Sequence, residues 1–417
     1  MKPTATLFLN VRYLIQVTKS YPQVRFGRTM DHLPVLEDAW LAVSDGKIEA
    51  YGTMQELELN RFNAYEKKDV AGRSMIPLWV DSHTHLVFAA PREREFEDRI
   101  KGLSYQEIAA RGGGILNSAA KLGEMSENDL YTAALERLKS VVRMGTGAIE
   151  IKSGYGLNLE AELKMLRVAK RLGEAGLIPV KSTFLGAHAV PARLKGNKDA
   201  YVDEVVNDMI PVVASEGLAE YVDAFCEEGY FDVADLHRIL EAGVKHGLKP
   251  KTHVNQFSTL GGVAKSVEFG AVSVDHLEEL AEADITALQG SNTLPVALPL
   301  CSLFLSIPYT PGRRLIDAGL PLVLATDFNP GSSPSGNMNL AVSLACIKMK
   351  LTPAEAINAA TLNAAAALEL QDELGSLTPG KRASFAITKH IPSVASLPYS
   401  FGEVQLEEVW LDGAKFE

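Results

Sequence analysis

Pro77-Leu78-Trp79-Val80-Asp81-Ser82-His83-Thr84-His85 is the stretch from which the chain is best read. Its first half is apolar and rich in β-formers, which predicts a buried strand. The strand ends in His83-x-His85. Side chains two apart on a strand share a face, so both imidazoles leave the end of one rigid element in the same direction. A metal ion is suited to that pair, with nitrogen ligands at about 2.0–2.1 Å. Two polar histidines satisfied at a strand end are the plainer alternative, and the rest of the chain decides between them.

Downstream, apolar strands alternate with amphipathic helical patterns. Strands are predicted near 78–84, 147–153, 180–187, 222–227, 250–254, 272–276, 293–298 and 322–326. Helices are predicted over 127–144, where Ser126 and Asp129 open the element, over 158–173 from an Asn158 cap, and over 232–246. Eight strand–helix alternations across some three hundred residues predict an α/β fold, a (β/α)8 TIM-like barrel, whose chemistry lies at the C-terminal ends of its strands. Before it, 5–15 and 39–52 read as strands, the latter folded at Asp45-Gly46, a hairpin turn signal. After Gly375-Ser376-Leu377-Thr378-Pro379-Gly380 the β character returns at 383–388 and 407–411, with Asp412-Gly413 as a turn. The simplest division is a small β-sandwich domain formed by both chain termini, 1–76 and 375–417, beside a barrel over 77–374.

Composition bounds the function. The 417 residues are 47% hydrophobic and 22% charged, an ordinary globular balance. A net charge of −11 without a basic block gives nucleic-acid binding no electrostatic support, and an anionic substrate would need a local cation to hold it. Cys226, Cys301 and Cys346 are odd in number and far apart, which fits reduced thiols in a cytoplasmic protein. No CxxC occurs, so a metal must rely on histidine and carboxylate. Met1-Lys2-Pro3-Thr4 shows no signal-peptide core, and no apolar run reaches the ~18 residues of a membrane span.

The predicted strand ends carry His83 and His85, Lys152-Ser153-Gly154-Tyr155-Gly156, His188, Glu227 and Glu228, His253, His276 and Asp327. Five of the nine histidines therefore fall at one barrel mouth, whereas core histidines would scatter over helices and loops. A mononuclear catalytic site needs three or four protein ligands. His83, His85, His253 and Asp327 supply three nitrogens and a carboxylate, a set that zinc or ferrous iron accepts. His276 is then spare, and a histidine near a metal-activated water is a natural proton shuttle. Arg92, in the loop after His85, is either a solvated surface charge or a fork for a substrate carboxylate; Arg94 competes with it on spacing. Arg111-Gly112-Gly113-Gly114 lacks the Lys-Ser/Thr of a phosphate loop and reads as a mobile loop.

Four segments resemble the amidohydrolase superfamily: Val80-Asp81-Ser82-His83-Thr84-His85, Glu150-Ile151-Lys152-Ser153-Gly154-Tyr155-Gly156, Phe184-Leu185-Gly186-Ala187-His188, and Ala325-Thr326-Asp327-Phe328-Asn329-Pro330-Gly331-Ser332. The second of them, with the closing Tyr399-Ser400-Phe401-Gly402, is more specific and resembles the imidazolonepropionase family of histidine breakdown. The resemblance spans nearly the whole chain and implies one divalent metal, Zn2+ or Fe2+, on His83, His85, His253 and Asp327. It implies substrate contacts from Arg92, Tyr155, His188, Gln256, Asn329, Gly331 and Ser332. Gln256, counted with His276 and Asp327 among the implied catalytic residues, stands where some members carry Glu; a neutral amide orients substrate but takes no proton, which shifts general-base work toward His276. Lys152 is given no ligand role, since the pattern is that of the single-metal branch, and Ser384, where relatives often have Asp, is read as structural. The implied reaction is hydrolysis of the lactam C–N bond of 4-imidazolone-5-propanoate to N-formimidoyl-L-glutamate by a metal-activated water. The implied partners are that small substrate with its carboxylate tail and a second copy in a homodimer. Two rivals stand beside this reading: a deaminase of a related heterocycle using the same site, and a metal-free scaffold relative.

Overall fold

The computed structural model describes residues 5–20, 24–103, 107–108, 111 and 113–417; Met1-Lys2-Pro3-Thr4 and Gly112 of the glycine run lie outside them. Among the described residues sixteen strands make two eight-stranded sheets. In chain order, β1 (Thr6–Ile15), β2 (Val35–Ser44), β3 (Lys47–Thr53), β4 (Glu66–Asp69) and β5 (Met75–Pro77) precede the barrel. Its strands are β6 (Trp79–Asp81), β7 (Thr146–Lys152), β8 (Val180–Ala187), β9 (Tyr221–Cys226), β10 (Lys249–Val254), β11 (Ser273–His276), β12 (Leu294–Ala297) and β13 (Val323–Leu324). β14 (Phe385–Thr388), β15 (Leu406–Leu411) and β16 (Ala414–Lys415) follow.

The strands of the two termini share one sheet, in the order β16-β15-β14-β5-β1-β2-β3, with β4 also paired to β1. The C-terminal strands join it where β14 pairs antiparallel with β5, Phe385 opposite Pro77. Period-2 alternation buries both faces: Phe8, Leu41 and Val43 pack on one side and Leu7, Trp40 and Ala42 on the other. The β2–β3 hairpin turns on Asp45 (φ 50°) and Gly46 (φ 75°), the pair of positive angles that a two-residue I′ turn requires.

Barrel strands lie parallel in sequence order from β6 to β13. The predicted helices form as Glu127–Arg143, Leu159–Glu174 and Val233–Lys245, and Ser126, Asn158 and Asp232 cap them by accepting backbone N–H bonds. Their apolar stripes, Leu130, Ala134, Leu138 and Val142 in the first, are buried against the sheet. No helix among the described residues is long and apolar enough to cross a membrane.

The seam that closes the barrel differs from the expectation of full strands over 78–84 and 322–326. β6 stops at Asp81 and β13 has two residues. Beyond them the two segments pair through a parallel bridge, Thr84 to Phe328. Asp327 N–H donates to the His83 carbonyl (3.0 Å) and His85 N–H to the Phe328 carbonyl (2.9 Å). The Asp81 carboxylate takes the place of a backbone partner, accepting from Thr326 N–H (3.0 Å) and Oγ1–H (2.5 Å). The seam thus ties the two segments that bear His83, His85 and Asp327 directly to each other.

Candidate metal centre

His83 and His85 leave the seam, His253 lies in β10, and all three are buried. Their ring nitrogens can all be chosen within 4.8 Å of one another. The His83 and His253 ring centroids are 4.4 Å apart, and those of His85 and His253 5.4 Å. Asp327 Oδ1 sits 3.5 Å from Nε2 of both His83 and His85. Nε2 of His85 and Nε2 of His253 face each other at 3.4 Å, and Nε2 of His83 is buried with no hydrogen-bond partner among the described residues. Burial first, and then Lys152 and the neighbouring imidazoles, holds the three imidazoles well below their ordinary pKa. They are neutral lone-pair donors at neutral pH. Three such nitrogens and a carboxylate oxygen aimed at one point fit a divalent cation. Burial also pushes the Asp327 carboxyl up to about 6, against the pull of His276.

Behind the ring lies a layer of buried charge that sequence reasoning missed. Asp275 Oδ2 is 2.6 Å from His83 Nδ1, and Asp223 Oδ2 is 2.7 Å from His253 Nδ1. Metal-binding histidines are ordinarily oriented in this way by a carboxylate on the other nitrogen. Lys152 Nζ lies between these acids and Glu150, and Lys251 stands 3.5 Å from Glu150 on its other side. The signal was present: Glu150, Lys152, Asp223, Lys251 and Asp275 all interrupt strands buried on both faces, where a charge persists only if paired.

A pocket opens beside the ring, and Arg92, Tyr155, His188, Gln256, His276 and Ser332 are among its walls. Arg92 is 6% exposed; its Nε–H donates to Ser118 Oγ at 2.8 Å and its guanidinium stands 5.4 Å over the Tyr155 ring. Its Nη2 is buried with no hydrogen-bond partner among the described residues. Arg94, the competing candidate, is exposed on the following helix. His188 stacks on His85, with ring centroids 5.2 Å apart and planes 15° from parallel, and its Nδ1 is 3.0 Å from the Gly154 carbonyl. Burial lowers its pKa to about 4. Gln256 Nε2 lies 3.4 Å from Cys301 Sγ.

Asn329 shapes the last loop: its Oδ1 accepts from the N–H groups of Gly331 and Ser332, both at 2.8 Å. That brings Ser332 Oγ to 3.3 Å from Asp327 Oδ2. Gly331 is behind the pocket wall; a Cβ there would lie 2.2 Å from Arg92 Nη1.

His276 points its Nδ1 at Glu278 Oε1, 3.3 Å away. Burial lowers the pKa of this imidazole, but Glu278, Asp327 and Asp275 outweigh it and the net shift is upward. His276 (φ 90°), Leu277 (φ 63°) and Asp327 (φ 55°) all hold backbone conformations that side chains other than glycine rarely adopt, a strain that gathers at functional sites.

Comparison with known proteins agrees with this architecture. The Amidohydrolase family matches residues 75–414. The chain is 56% identical to an imidazolonepropionase of Christiangramia forsetii over 407 residues, 98% of either chain. It is 54% identical to an imidazolonepropionase of Flavobacterium johnsoniae over 98% of this chain and 99% of that one. Among solved structures it resembles the guanine deaminase of E. coli, with a TM-score of 0.75, 14% identity and 99% of both chains covered. An adenosine deaminase from Xanthomonas campestris, with zinc bound, aligns at a TM-score of 0.70 and 18% identity, over 99% of this chain and 93% of that one. With the barrel, the ring of neutral imidazoles and these relatives in hand, the chain belongs to the amidohydrolase family, and within it to the imidazolonepropionases.

Proposed function

We propose that the protein hydrolyses the lactam C–N bond of 4-imidazolone-5-propanoate to give N-formimidoyl-L-glutamate, with Zn2+ or Fe2+ held by His83, His85, His253 and Asp327. The observation that carries this reading is the Arg92 guanidinium, buried with Nη2 unpartnered among the described residues in the pocket that the metal-site histidines His85 and His253 also line. A buried cationic donor without a partner is costly, and a substrate carboxylate satisfies it. The deaminase rival, with a neutral purine or pyrimidine, would leave it unsatisfied.

Arg92 takes the propanoate tail in a charge-assisted fork, and Tyr155, against which it packs, bounds that end of the pocket. His188 is neutral and, with Gln256, Asn329 and Ser332, orients the ring through hydrogen bonds. A divalent cation, when bound, supplies Lewis acidity that lowers the pKa of a water toward ~7 and polarises a carbonyl. Water adds to the ring carbonyl carbon, and its proton passes to Asp327. His276, anchored by Glu278, donates toward the oxygen that gains charge in the tetrahedral species. As the ring C–N bond breaks, the stored proton goes to the departing nitrogen, which becomes the terminal nitrogen of the formimidoyl group. The carbonyl carbon becomes the new carboxylate. With three thiols and no disulfide among the described residues, we place this reaction in the cytoplasm.

The test is turnover of authentic 4-imidazolone-5-propanoate, followed by loss of its ring absorbance, with metal content measured on the same sample. Ammonia release from a neutral heterocycle, with no turnover of the imidazolone, would establish the deaminase instead. A folded protein without metal or activity would establish the scaffold.

A further inference from the structure

Lys152 belongs to a motif that the function above does not use. Its side chain is fully buried. Nζ is 2.9 Å from Asp223 Oδ2, 3.0 Å from Glu150 Oε1 and 3.5 Å from Asp275 Oδ2. Two of those oxygens also receive a histidine: Asp223 Oδ2 serves His253 Nδ1 and Asp275 Oδ2 serves His83 Nδ1. One ammonium therefore holds the acceptors for two imidazoles on different segments, β10 and the seam that follows β6. We propose that Lys152 is a positioning residue for the metal centre, pinning Asp223 and Asp275 so that His253 and His83 both keep Nδ1–H and turn bare Nε2 atoms toward one cation.

The inference rests on the metal reading above and adds a part to it. Burial opposes the lysine's charge, but Asp223, Glu150 and Asp275 overcome it and raise its pKa, so Nζ is an ammonium and no candidate for a carbamate. Three carboxylates converge here, and among the described residues Lys251, 3.5 Å from Glu150, would be left as the cation to offset them if Lys152 were neutral. Like charges gathered in a buried site repel one another, which would turn Asp223 or Asp275 away from its imidazole. Loss of a carboxylate behind a ligand typically costs about 10–100-fold in metal affinity. The opposite expectation is equally definite: if Lys152 merely sits near the site, removing a cation should leave metal binding unchanged or tighten it.

The experiment measures Zn2+ affinity of the metal-stripped full-length protein by competition with a chromophoric chelator, with thermal unfolding of the same samples. Wild type should bind Zn2+; if it does not, the metal reading falls and the clamp with it. Given wild-type binding, Lys152→Met should weaken Zn2+ about 10–100-fold in the folded protein. Unchanged or tighter binding overturns the clamp alone, even if Tm drops, because a purely structural lysine would move Tm without moving affinity. If Lys152→Met does not fold, Lys152→Met combined with Glu150→Gln removes one charge of each sign and carries the same expectation. A further readout needs no lysine variant: histidine 15N shifts of the stripped wild type, assigned with His83→Gln and His253→Gln, should show protonated Nδ1 and bare Nε2 at both residues. An Nε2–H tautomer at either one overturns the proposal.

Discussion

Gly331→Ala isolates substrate anchoring from everything else the site does. The glycine's φ is not in the left-handed region, so alanine suits its backbone. The added methyl would nevertheless lie 2.2 Å from Arg92 Nη1 and 2.9 Å from Cζ, more than 1 Å inside ordinary van der Waals contact. What yields is the end of a flexible side chain, so the fold should survive with at most a small loss in Tm. Arg92 cannot retreat freely, because its Nε–H is held by Ser118 at 2.8 Å, and the guanidinium has to move off its binding position. A displacement of about 1 Å at a positioning group can cost on the order of 10²-fold, and a charge-assisted hydrogen bond is worth roughly 1.5–3 kcal/mol, or about 10–150-fold. We therefore expect KM for 4-imidazolone-5-propanoate to rise about 10–100-fold with kcat little changed, and Arg92→Ala to produce a similar rise. Steady-state kinetics with circular dichroism on both variants would check this. A wild-type KM in folded Gly331→Ala would refute the reasoning, and a wild-type KM in Arg92→Ala would remove Arg92 from the substrate site.

Other outcomes follow from the same geometry. His276→Ala should keep its metal and lose about 10²–10⁴-fold in kcat; loss of metal on elemental analysis would make His276 a ligand instead. Removal of the cation by a chelator should abolish activity and lower Tm, since a ligand at a hundred times its Kd stabilises by about 2.7 kcal/mol; an unchanged Tm would show that no cation is held in this ring. Burial raises the thiol pKa of Cys301, and those of Cys226 and Cys346 to about 12 and about 11. Thiolate is the reactive form, so higher pKa means less of it at pH 8. Native protein at pH 8 should alkylate slowly at all three and react fully once unfolded; rapid labelling of Cys226 or Cys301 in native protein, seen by mass spectrometry, would contradict their burial.

Local regularities made much of this protein legible from its residues alone. Continuous apolar runs located the barrel strands and period-3.6 patterns located the helices Glu127–Arg143, Leu159–Glu174 and Val233–Lys245, because a strand buried on both faces and a helix buried on one each leave their own pattern. Asp45-Gly46 and the caps Ser126 and Asn158 act within three residues of themselves and need no tertiary context. The histidines at strand ends could be gathered into one candidate site because a barrel brings all its strand ends to one mouth.

What the sequence could not decide is whatever depends on contacts between distant segments. Which arginine enters the pocket, Arg92 or Arg94, turns on where the helix Glu93–Ile100 begins relative to the barrel mouth. The closing seam abandons regular strands after Asp81 because a side chain, not a neighbouring backbone, receives Thr326. Asp223 and Asp275 are separated from their histidine partners by 30 and 192 positions, and Lys152 meets both only after β7, β9 and β11 are set around one axis. Local pattern cannot encode those distances, since a buried charge finds its counter-charge in space and not along the chain.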